Sequence, residues 1–262
     1  MSSPVTFVVA VNSHEVLNSN LLASPSLQRP RGHQLIVQEG FTSAAKAYND
    51  ALDRSVNEIV VLVHQDVFLP GPWLSQLDCA VKLLAQHDPV WGVLGCWGVR
   101  QDGQGFGHVY SPGQGVIGRA FEHPVPVQTL DELVLIIRKS SGLRFDERLP
   151  GFHFYGTDIC LAAASKGLMC YALSAFCVHN ARQYFFYPRD FYRSYRHVKR
   201  IWKDFLPIQT SCIRISRLDK DYYSRKLKQA YWRVVSRRNP RRGNRAADPL
   251  SILEKVQSSH QT

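Results

Sequence analysis

Four short apolar runs, alternating with segments of helical periodicity, constrain the fold of this chain more than any other feature of its sequence. The runs cover residues 6–11, 33–38, 59–63 and 90–97. Between them, residues 44–52 and 73–86 repeat apolar side chains every three or four positions, which is the spacing of an amphipathic helix. The order β, β, α, β, α, β implies right-handed crossovers. It predicts an α/β fold with a largely parallel sheet and helices on its faces.

Polar side chains follow these runs at the edge where open α/β sheets bind their ligands. The side chains at the carboxyl ends of predicted strands are Asn12, Glu39, His64, Gln65, Asp66, His179 and Asn180. Asp131 and Glu132 stand instead at the head of an apolar run, residues 127–137, and reach the same edge only if that strand runs antiparallel. A simpler interpretation is that His64 and Asp66 end a strand and begin a turn, because strand ends are commonly polar.

Asp66 and His179 form the combination that most favours a metal site. A carboxylate and an imidazole from separate strands can hold a divalent ion and leave coordination positions for a diphosphate. Mn²⁺ accepts a histidine more readily than Mg²⁺ does, so we expect Mn²⁺, with Mg²⁺ as the alternative. Zinc would normally have a set of cysteines or several histidines, and the six cysteines of the chain are scattered without a CxxC pair.

The chain departs from the βαβ order after residue 100. Residues 101–128 contain six glycines and three prolines, which predicts a flap or hairpin insertion. Thr157 and Asp158 begin the next predicted helix. Unpaired backbone N–H groups favour a carboxylate in the first turn of a helix, so helix capping is the simpler role for Asp158.

Positive charge is concentrated towards the end of the chain. The formal net charge is +11, and much of the excess lies in residues 182–245, where Arg and Lys are interleaved with aromatic residues. The pattern predicts basic amphipathic helices over residues 188–205 and 222–237. A poorly ordered tail is expected from residue 238 onward. Such a segment suits an anionic membrane surface, nucleic acid or simply a solvated helical face. No apolar run approaches the ~20 residues of a membrane span and no secretory signal is evident, so we expect a cytoplasmic protein.

Several of these features, in this order, resemble a known family. The chain contains a first strand ending at Asn12, a helix with Lys46 and Asn49, a run ending in His64-Gln65-Asp66-Val67, and the segment 151–161. Together they resemble a family 2 glycosyltransferase of the GT-A fold. More narrowly, they are similar to the glycosyltransferase-like domain named after a streptomycin-biosynthesis protein. The resemblance covers roughly residues 5–182 and implies a Rossmann-like, mostly parallel central sheet with helices on both faces.

The resemblance also implies roles for individual residues. Asp66 matches the last acid of the family's Asp-x-Asp motif, which binds the metal that bridges the donor diphosphate, and His179 matches a late histidine that completes this site in some relatives. Asp158 matches the acid that takes the proton from the acceptor hydroxyl in inverting members. His64 departs from the pattern, because it stands where the first acid of Asp-x-Asp would be. The residues expected at the nucleotide-sugar pocket are Asn12, Glu39, Lys46, Asn49, His64, Gln65 and Asp131.

The expected function is therefore the transfer of a sugar from a nucleotide-diphosphate sugar to a hydroxyl acceptor, with inversion and with the help of a metal. A UDP-sugar is the favoured donor. The acceptor would be a glycan, a lipid-linked molecule or a small molecule. His64 in place of an acid favours one alternative, a catalytically inactive nucleotide-sugar-binding or scaffold protein. A nucleic-acid-binding protein would explain the basic segment but not the acidic strand ends, which repel phosphate.

The expected organisation follows from the same observations. A GT-A domain would cover residues 1–182, a basic helical extension residues 183–237, and a tail residues 238–262. We expect the extension to place the protein at the inner face of an anionic membrane.

Overall fold

The structure, a computed structural model, describes residues 3–28, 32–182, 187–235, 245 and 248–259. Within these residues the strands are β1 Val5–Ala10, β2 Gln34–Gln38, β3 Ile59–Val63, β4 Val67–Phe68, β5 Val93–Gly95, β6 Trp97–Val99, β7 Gly105–Ser111, β8 Gly115–Gly118, β9 Val125–Val127, β10 Thr129–Leu130, β11 Val134–Arg138, β12 Cys170–Ala172 and β13 Cys177–His179. The α-helices are α1 His14–Ser19, α2 Pro25–Gln28, α3 Ala44–Arg54, α4 Trp73–His87, α5 Tyr155–Ser165, α6 Arg189–Ile201, α7 Lys220–Val235 and α8 Pro249–Ser259.

A seven-stranded sheet in the order β2-β1-β3-β11-β5-β12-β9 forms the centre of the fold. Strands β2, β1 and β3 are mutually parallel, as are β5 and β12, whereas β11 and β9 run antiparallel to their neighbours. Alternate residues of a strand point to opposite faces. Val60 and Leu62 of β3 therefore pack on the side of α3 and α5, while Val61 and Val63 pack on the side of α4. The predicted α/β fold with helices on both faces is confirmed, and its central sheet is mixed.

A second sheet, in the order β10-β6-β7-β13-β4 with β8 beside β7, continues several strands of the first. The chain passes from the first sheet to the second between β3 and β4, between β5 and β6, between β9 and β10, and between β12 and β13. The sequence predicts single strands over residues 90–97 and 169–178, whereas the structure divides each of them. An apolar run gives no sign of the residue at which the chain changes sheets, because both halves are buried.

The insertion predicted over residues 101–128 contains the hairpin of β7 and β8, followed by β9. Two glycines meet across this hairpin with positive φ angles, 153° at Gly107 and 76° at Gly118. A Cβ atom on Gly118 would lie 2.0 Å from the carbonyl oxygen of Gly107. The close approach of these two backbone segments therefore requires glycine at position 118.

β11 runs antiparallel to its neighbours, as is required for its leading residues to reach the edge where ligands bind. It runs antiparallel to β3, and the backbone N–H of His64 donates to the carbonyl of Leu133 at 3.1 Å. Residues 131–132 therefore lie beside the carboxyl end of β3. Helix α5 begins at Tyr155, two residues before its predicted start.

The C-terminal part of the chain is helical. α6 and α7 correspond to the two predicted basic helices, and none of the described helices is long and apolar enough to cross a membrane. α8 lies within the segment predicted as a poorly ordered tail, and its Ile252 and Val256 are buried against Phe68 of β4 and Val178 of β13. The remainder of the predicted tail, apart from Arg245 and Asp248, lies outside the described residues.

Candidate functional site

Three side chains that could ligate a metal meet where the chain passes between the two sheets. His64 and Asp66 lie in the turn that joins β3 to β4. β13 pairs antiparallel with β4 in a register that sets His179 opposite Val67, and the N–H of Asn180 donates to the carbonyl of Asp66 at 2.8 Å. One ligand atom from each of His64, Asp66 and His179 lies within 4.8 Å of the other two. We call these residues the His–Asp–His triad.

Asp66 and His179 form an ion pair within the triad, with 3.5 Å between Oδ1 and Nε2. Burial raises the pKa of Asp66, but the hydrogen bonds and charges of its basic neighbours outweigh burial and hold this pKa well below its usual range. Burial lowers the pKa of His179, but its hydrogen bond to Asp66 and the negative charge there raise the pKa above the ordinary value. Asp66 is therefore ionised at neutral pH, as a metal ligand must be.

His64 is oriented by a tyrosine behind it. Its Nε2 lies 2.7 Å from the hydroxyl oxygen of Tyr155, and this hydroxyl donates its proton to the carbonyl of Glu132 at 3.1 Å. If the single proton of this hydroxyl stays on the bond to Glu132, Nε2 of His64 is the donor of their shared hydrogen bond and Nδ1 keeps a lone pair. Burial lowers the pKa of His64, which favours this neutral imidazole.

The donor atoms of the triad fit a divalent transition-metal ion. One carboxylate and two imidazoles are ligands that such ions accept, each at about 2.1 Å. Two ligand atoms at this distance from one ion are roughly 3–3.5 Å apart. The atoms of the triad lie within 4.8 Å of one another, so they would have to move closer to bind one ion. Three protein ligands leave further coordination positions for a bound substrate.

Arg245 also contacts Asp66, and sequence reasoning did not include it. One terminal nitrogen of its guanidinium donates to Oδ2 of Asp66 at 2.9 Å, and Nε donates to the carbonyl of Asn180 at 3.0 Å. The two residues are 179 positions apart. Arg245 lies in a segment predicted as a disordered tail, and no feature of the sequence connects it with the triad.

Two clefts meet at the triad. The larger cleft, of about 890 Å³, is lined by residues that include Asn12, Gln38, Gln65 and Arg245. The second cleft, of about 550 Å³, is lined by residues that include Asp131, Glu132, Tyr187 and Ser211. His64, Asp66, Phe152 and Arg182 line both clefts. A ligand in either cleft therefore reaches the same ionised carboxylate.

The structure brings Asn12 and Gln65 together at the larger cleft. The side-chain amide of Gln65 donates to Oδ1 of Asn12 at 2.5 Å and accepts from the backbone N–H groups of Asn12 and Ser13, each at 3.1 Å. These bonds join the carboxyl ends of β1 and β3. Gln65 therefore fixes the strand end that carries Asn12.

Three other residues predicted at the nucleotide-sugar pocket lie elsewhere among the described residues and line neither cleft. Glu39 pairs with exposed His14 at 3.1 Å. Lys46 is exposed on α3. Asn49 is buried, and its side-chain amide bonds both the N–H and the carbonyl of Phe145, each at 3.0 Å. Asn49 therefore has a structural role, which is to hold the segment before α5 against α3.

The second cleft presents two carboxyl groups at the head of β11. Asp131 accepts a hydrogen bond from the hydroxyl of Ser211 at 2.5 Å and a second one from the N–H of Leu133 at 3.1 Å. Burial, with the nearby charge of Asp131, raises the pKa of Glu132 to about 8, although backbone N–H groups at the start of α5 oppose this shift. Glu132 is therefore largely protonated at neutral pH, whereas sequence reasoning gave it no role.

Asp158 is buried, and it is not among the described residues that line the two clefts. Its Oδ1 accepts from the indole N–H of Trp202 at 2.7 Å, and Oδ2 accepts from the backbone N–H of Asp146 at 3.3 Å. Burial raises the pKa of Asp158. Its side-chain bonds therefore connect α5 to the end of α6 and to the preceding loop, and neither goes to a backbone group of its own helix.

The chain was compared with known proteins. The model of the family described as "Glycosyltransferase like family" matches residues 6–199. The curated protein "ATP synthase subunits region ORF 6" of Fuscovulum blasticum is 28% identical over 142 residues, which cover 52% of this chain and 56% of that protein. This chain therefore spans about half the length of that relative.

Two solved structures share the fold at low sequence identity. TarS of S. aureus has a TM-score of 0.50 at 16% identity, covering 79% of this chain and 40% of that one. GalNAc-T7, solved with UDP, GalNAc and Mn²⁺, has a TM-score of 0.51 at 10% identity, covering 90% of this chain and 58% of that one. At these low identities, the similarity shows a shared fold and nothing more.

Proposed function

Because the chain belongs to the glycosyltransferase-like family, we propose that it transfers a sugar from a nucleotide-diphosphate sugar to a hydroxyl acceptor. The observation that carries this proposal is the position of the His–Asp–His triad where two clefts meet. The triad thus faces a donor on one side and an acceptor on the other. The narrower assignments, to family 2 and to the streptomycin-biosynthesis-type domain, are part of the same proposal.

We assign the donor to the larger cleft. Its volume is in the range of nucleotide-sized sites. Asn12, Gln65 and His64 line this cleft and are the donor-site residues that we retain. A UDP-sugar is the donor class that we propose, and the complex of GalNAc-T7 with UDP supports it.

The triad would hold the metal. A divalent ion there stabilises the negative charge that develops on the departing diphosphate. Two imidazoles beside one carboxylate favour Mn²⁺ over Mg²⁺, because Mg²⁺ prefers oxygen ligands. Tyr155 would orient the imidazole of His64 through their hydrogen bond, as a second partner commonly does for a metal-binding histidine.

Asp158 remains our proposal for the base that takes the proton from the acceptor hydroxyl, with inversion at the anomeric carbon. Burial raises the pKa of Asp158, and a shift in this direction is expected for a general base. Asp131 is the second candidate, because it lines the second cleft together with the triad, whereas both oxygens of Asp158 accept hydrogen bonds within the protein. With Asp131 as the base, the second cleft would be the acceptor site.

Metal and donor binding test the proposal directly. Calorimetry should show that Mn²⁺ strengthens UDP binding to the parent protein, and that Asp66→Ala and His179→Ala remove this effect. Asp102→Asn is the matched control, because Asp102 is exposed outside both clefts. If UDP binds equally well with and without Mn²⁺ in all four proteins, the metal-diphosphate site is wrong.

A panel of nucleotide-sugars separates the enzyme from the inactive binding protein that His64 suggests. Many transferases slowly hydrolyse their donor in water, so we expect one donor of the panel to be consumed in the presence of Mn²⁺. Binding of a donor without hydrolysis, or without transfer to any acceptor, would favour the inactive alternative. NMR of the product would give the anomeric configuration and test inversion.

We also propose that α7 contacts an anionic membrane surface, where a lipid-linked acceptor would be presented. Its Tyr223, Leu227, Tyr231 and Val235 recur every fourth residue, and each is more than half exposed. Basic residues Arg225, Lys226 and Lys228 lie between them. An exposed apolar stripe flanked by positive charge is the pattern of a helix that lies in the membrane interface.

A further inference from the structure

Arg245 places a fixed positive charge at the centre of the site. Its guanidinium bonds a carboxylate oxygen of Asp66 at 2.9 Å and the carbonyl of Asn180 at 3.0 Å. Arg245 also lines the larger cleft. Arg245 and Asp248 are the residues between α7 and α8 that the structure describes.

The packing of α8 explains why Arg245 reaches this position. Ile252 and Val256 of α8 are buried against Phe68 and Val178. These residues belong to β4 and β13, the paired strands whose ends carry Asp66 and His179. Arg245 stands four positions before the start of α8, so anchoring this helix on the two strands keeps the arginine close to the triad.

The charge of the triad leaves a role for this arginine. The triad contributes one negative charge and two neutral imidazoles when it ligates a metal. With a divalent ion the site therefore carries a net charge of about +1 before Arg245 is counted, whereas a diphosphate diester carries about two negative charges at neutral pH and gains another on leaving. A second cation beside the metal would balance this charge.

We propose that Arg245 is a donor-binding residue that contacts the diphosphate beside the metal. The bonds to Asp66 and Asn180 engage two of the five N–H donors of its guanidinium. A guanidinium can hold a carboxylate and a phosphate at the same time, and its planar fork matches both. The bond to Oδ2 also fixes Asp66 with Oδ1 directed towards His179, which orients a metal ligand. This inference rests on the proposed metal-diphosphate site.

Binding measurements on the full chain test the inference without reference to the donor sugar. Inorganic pyrophosphate is the probe, since it has the diphosphate but neither base nor sugar. Mn²⁺ binding is measured alone by electron paramagnetic resonance, and pyrophosphate binding by calorimetry with Mn²⁺ present. The proteins compared are the parent, Arg245→Gln, Arg245→Lys and Arg100→Gln. Arg100 is the matched control, because it is exposed and its ion pair with Asp102, at 3.9 Å, lies outside both clefts.

We expect Arg245→Gln to bind pyrophosphate roughly tenfold to a hundredfold more weakly, which is the loss of one or two charge-assisted hydrogen bonds. Arg245→Lys should recover part of this loss, because it restores the charge but not the fork. Arg100→Gln should bind as the parent does. Mn²⁺ should bind to Arg245→Gln about as well as to the parent, because the removal of a neighbouring positive charge offsets the loss of the bond that orients Asp66.

A second variant tests the route by which Arg245 arrives. Ile252→Asp places a charge in the interface of α8 with β4 and β13, so it should release α8 and weaken pyrophosphate binding as much as Arg245→Gln does. Circular dichroism and the melting temperature show whether the remaining fold is intact. If Ile252→Asp unfolds the protein, the arginine variants carry the test without it.

The outcomes separate the two levels of the proposal. If the parent binds neither Mn²⁺ nor Mn²⁺-dependent pyrophosphate, the metal-diphosphate site itself fails. If the parent binds both and Arg245→Gln binds pyrophosphate equally well, the role of Arg245 is overturned and that of the triad stands. Stronger binding of both ligands by Arg245→Gln would show that Arg245 obstructs the site, which also overturns the inference.

Discussion

Asp66 is bonded on three sides, by partners from two distant parts of the chain. His179 approaches Oδ1, Arg245 holds Oδ2, and the N–H of Asn180 holds the backbone carbonyl. A carboxylate with both oxygens directed in this way has little rotational freedom to lose when it binds an ion. The orientation of Asp66 thus depends on residues 113 and 179 positions away, and the local motif of residues 64–66 supplies the side chain alone.

Replacement of the two candidate bases should separate their roles. We expect Asp158→Asn to lower kcat by roughly 10²–10⁴-fold while leaving Mn²⁺-dependent UDP binding unchanged. Asp131→Asn should mainly raise KM for the acceptor. Because burial raises the pKa of Asp158 above its ordinary value of 3.8, the acid limb of the parent's kcat/KM profile should also lie above that value. A larger loss of kcat in Asp131→Asn would transfer the role of base to Asp131.

The loop before α5 should give stability that depends on pH through Asp146. Burial raises the pKa of Asp146, but hydrogen bonds from Arg148 and His197 outweigh it and lower the pKa to about 2. A carboxyl group whose pKa is lower in the folded state stabilises the protein above its unfolded pKa, and this contribution is lost as pH falls towards the folded pKa. Asp146→Asn should therefore lose about 1 kcal/mol at pH 7, after screening by solvent. Urea unfolding at pH 7 and pH 3 should show the difference between variant and parent narrowing at the lower pH; a constant difference would exclude this cause.

The site residues that sequence reasoning identified are those whose chemistry is visible within a short motif. His64 and Asp66 follow a buried strand, and His179 follows another, so their type and position predict a shared edge. Tyr155 and Arg245 could not be found in this way. Tyr155 acts through its hydroxyl on His64, and Arg245 depends on the docking of α8, so both require tertiary contacts that have no local pattern.

At the scale of elements, hydrophobic periodicity predicts the order and type of five of the strands and helices up to residue 87. β1, β2, β3, α3 and α4 each lie within two residues of their predicted bounds. The later elements depart from prediction where the chain changes sheets, at residue 96 and between residues 172 and 177. These transitions lie in buried, apolar segments, and therefore the periodicity of the sequence continues across them.

Two glycines of the β7–β8 hairpin offer a matched test of its backbone. Gly115 and Gly118 have φ angles of 72° and 76°, but a Cβ on Gly115 would meet no atom within 4 Å. We expect Gly115→Ala to cost about 1 kcal/mol, from the left-handed backbone alone. Gly118→Ala should cost about 2–4 kcal/mol, because its Cβ would also overlap the carbonyl of Gly107. Equal losses in thermal or urea unfolding would mean that the hairpin shifts to relieve the overlap.

The whole molecule combines a net charge of +11 with an exposed apolar stripe on α7. Charge attracts the protein to any anionic surface, and this attraction weakens with salt, whereas apolar insertion does not. The two contributions can therefore be measured apart.

Vesicle sedimentation should show both contributions. We expect the protein to bind vesicles with anionic lipids and not neutral vesicles, with binding that weakens as salt rises. Leu227→Glu should weaken binding on the order of tenfold, because it places a charge in the stripe. Val56→Glu makes the same change in charge at an equally exposed residue outside α7 and should have a much smaller effect. Equal losses in both variants would mean that net charge, and not the stripe, determines attachment.

The spread of the site along the chain has a consequence for how the protein is made. Its parts come from residues 64–66, 131–132, 179 and 245. A ribosome adds residues at roughly 5–20 per second, so Asp66 is synthesised on the order of ten seconds before His179. The interval between Asp66 and Arg245 is longer still. The parallel strands β1, β2 and β3 can pair during this interval. The nascent chain would therefore acquire a folded sheet first and its capacity for metal and diphosphate last, in that order.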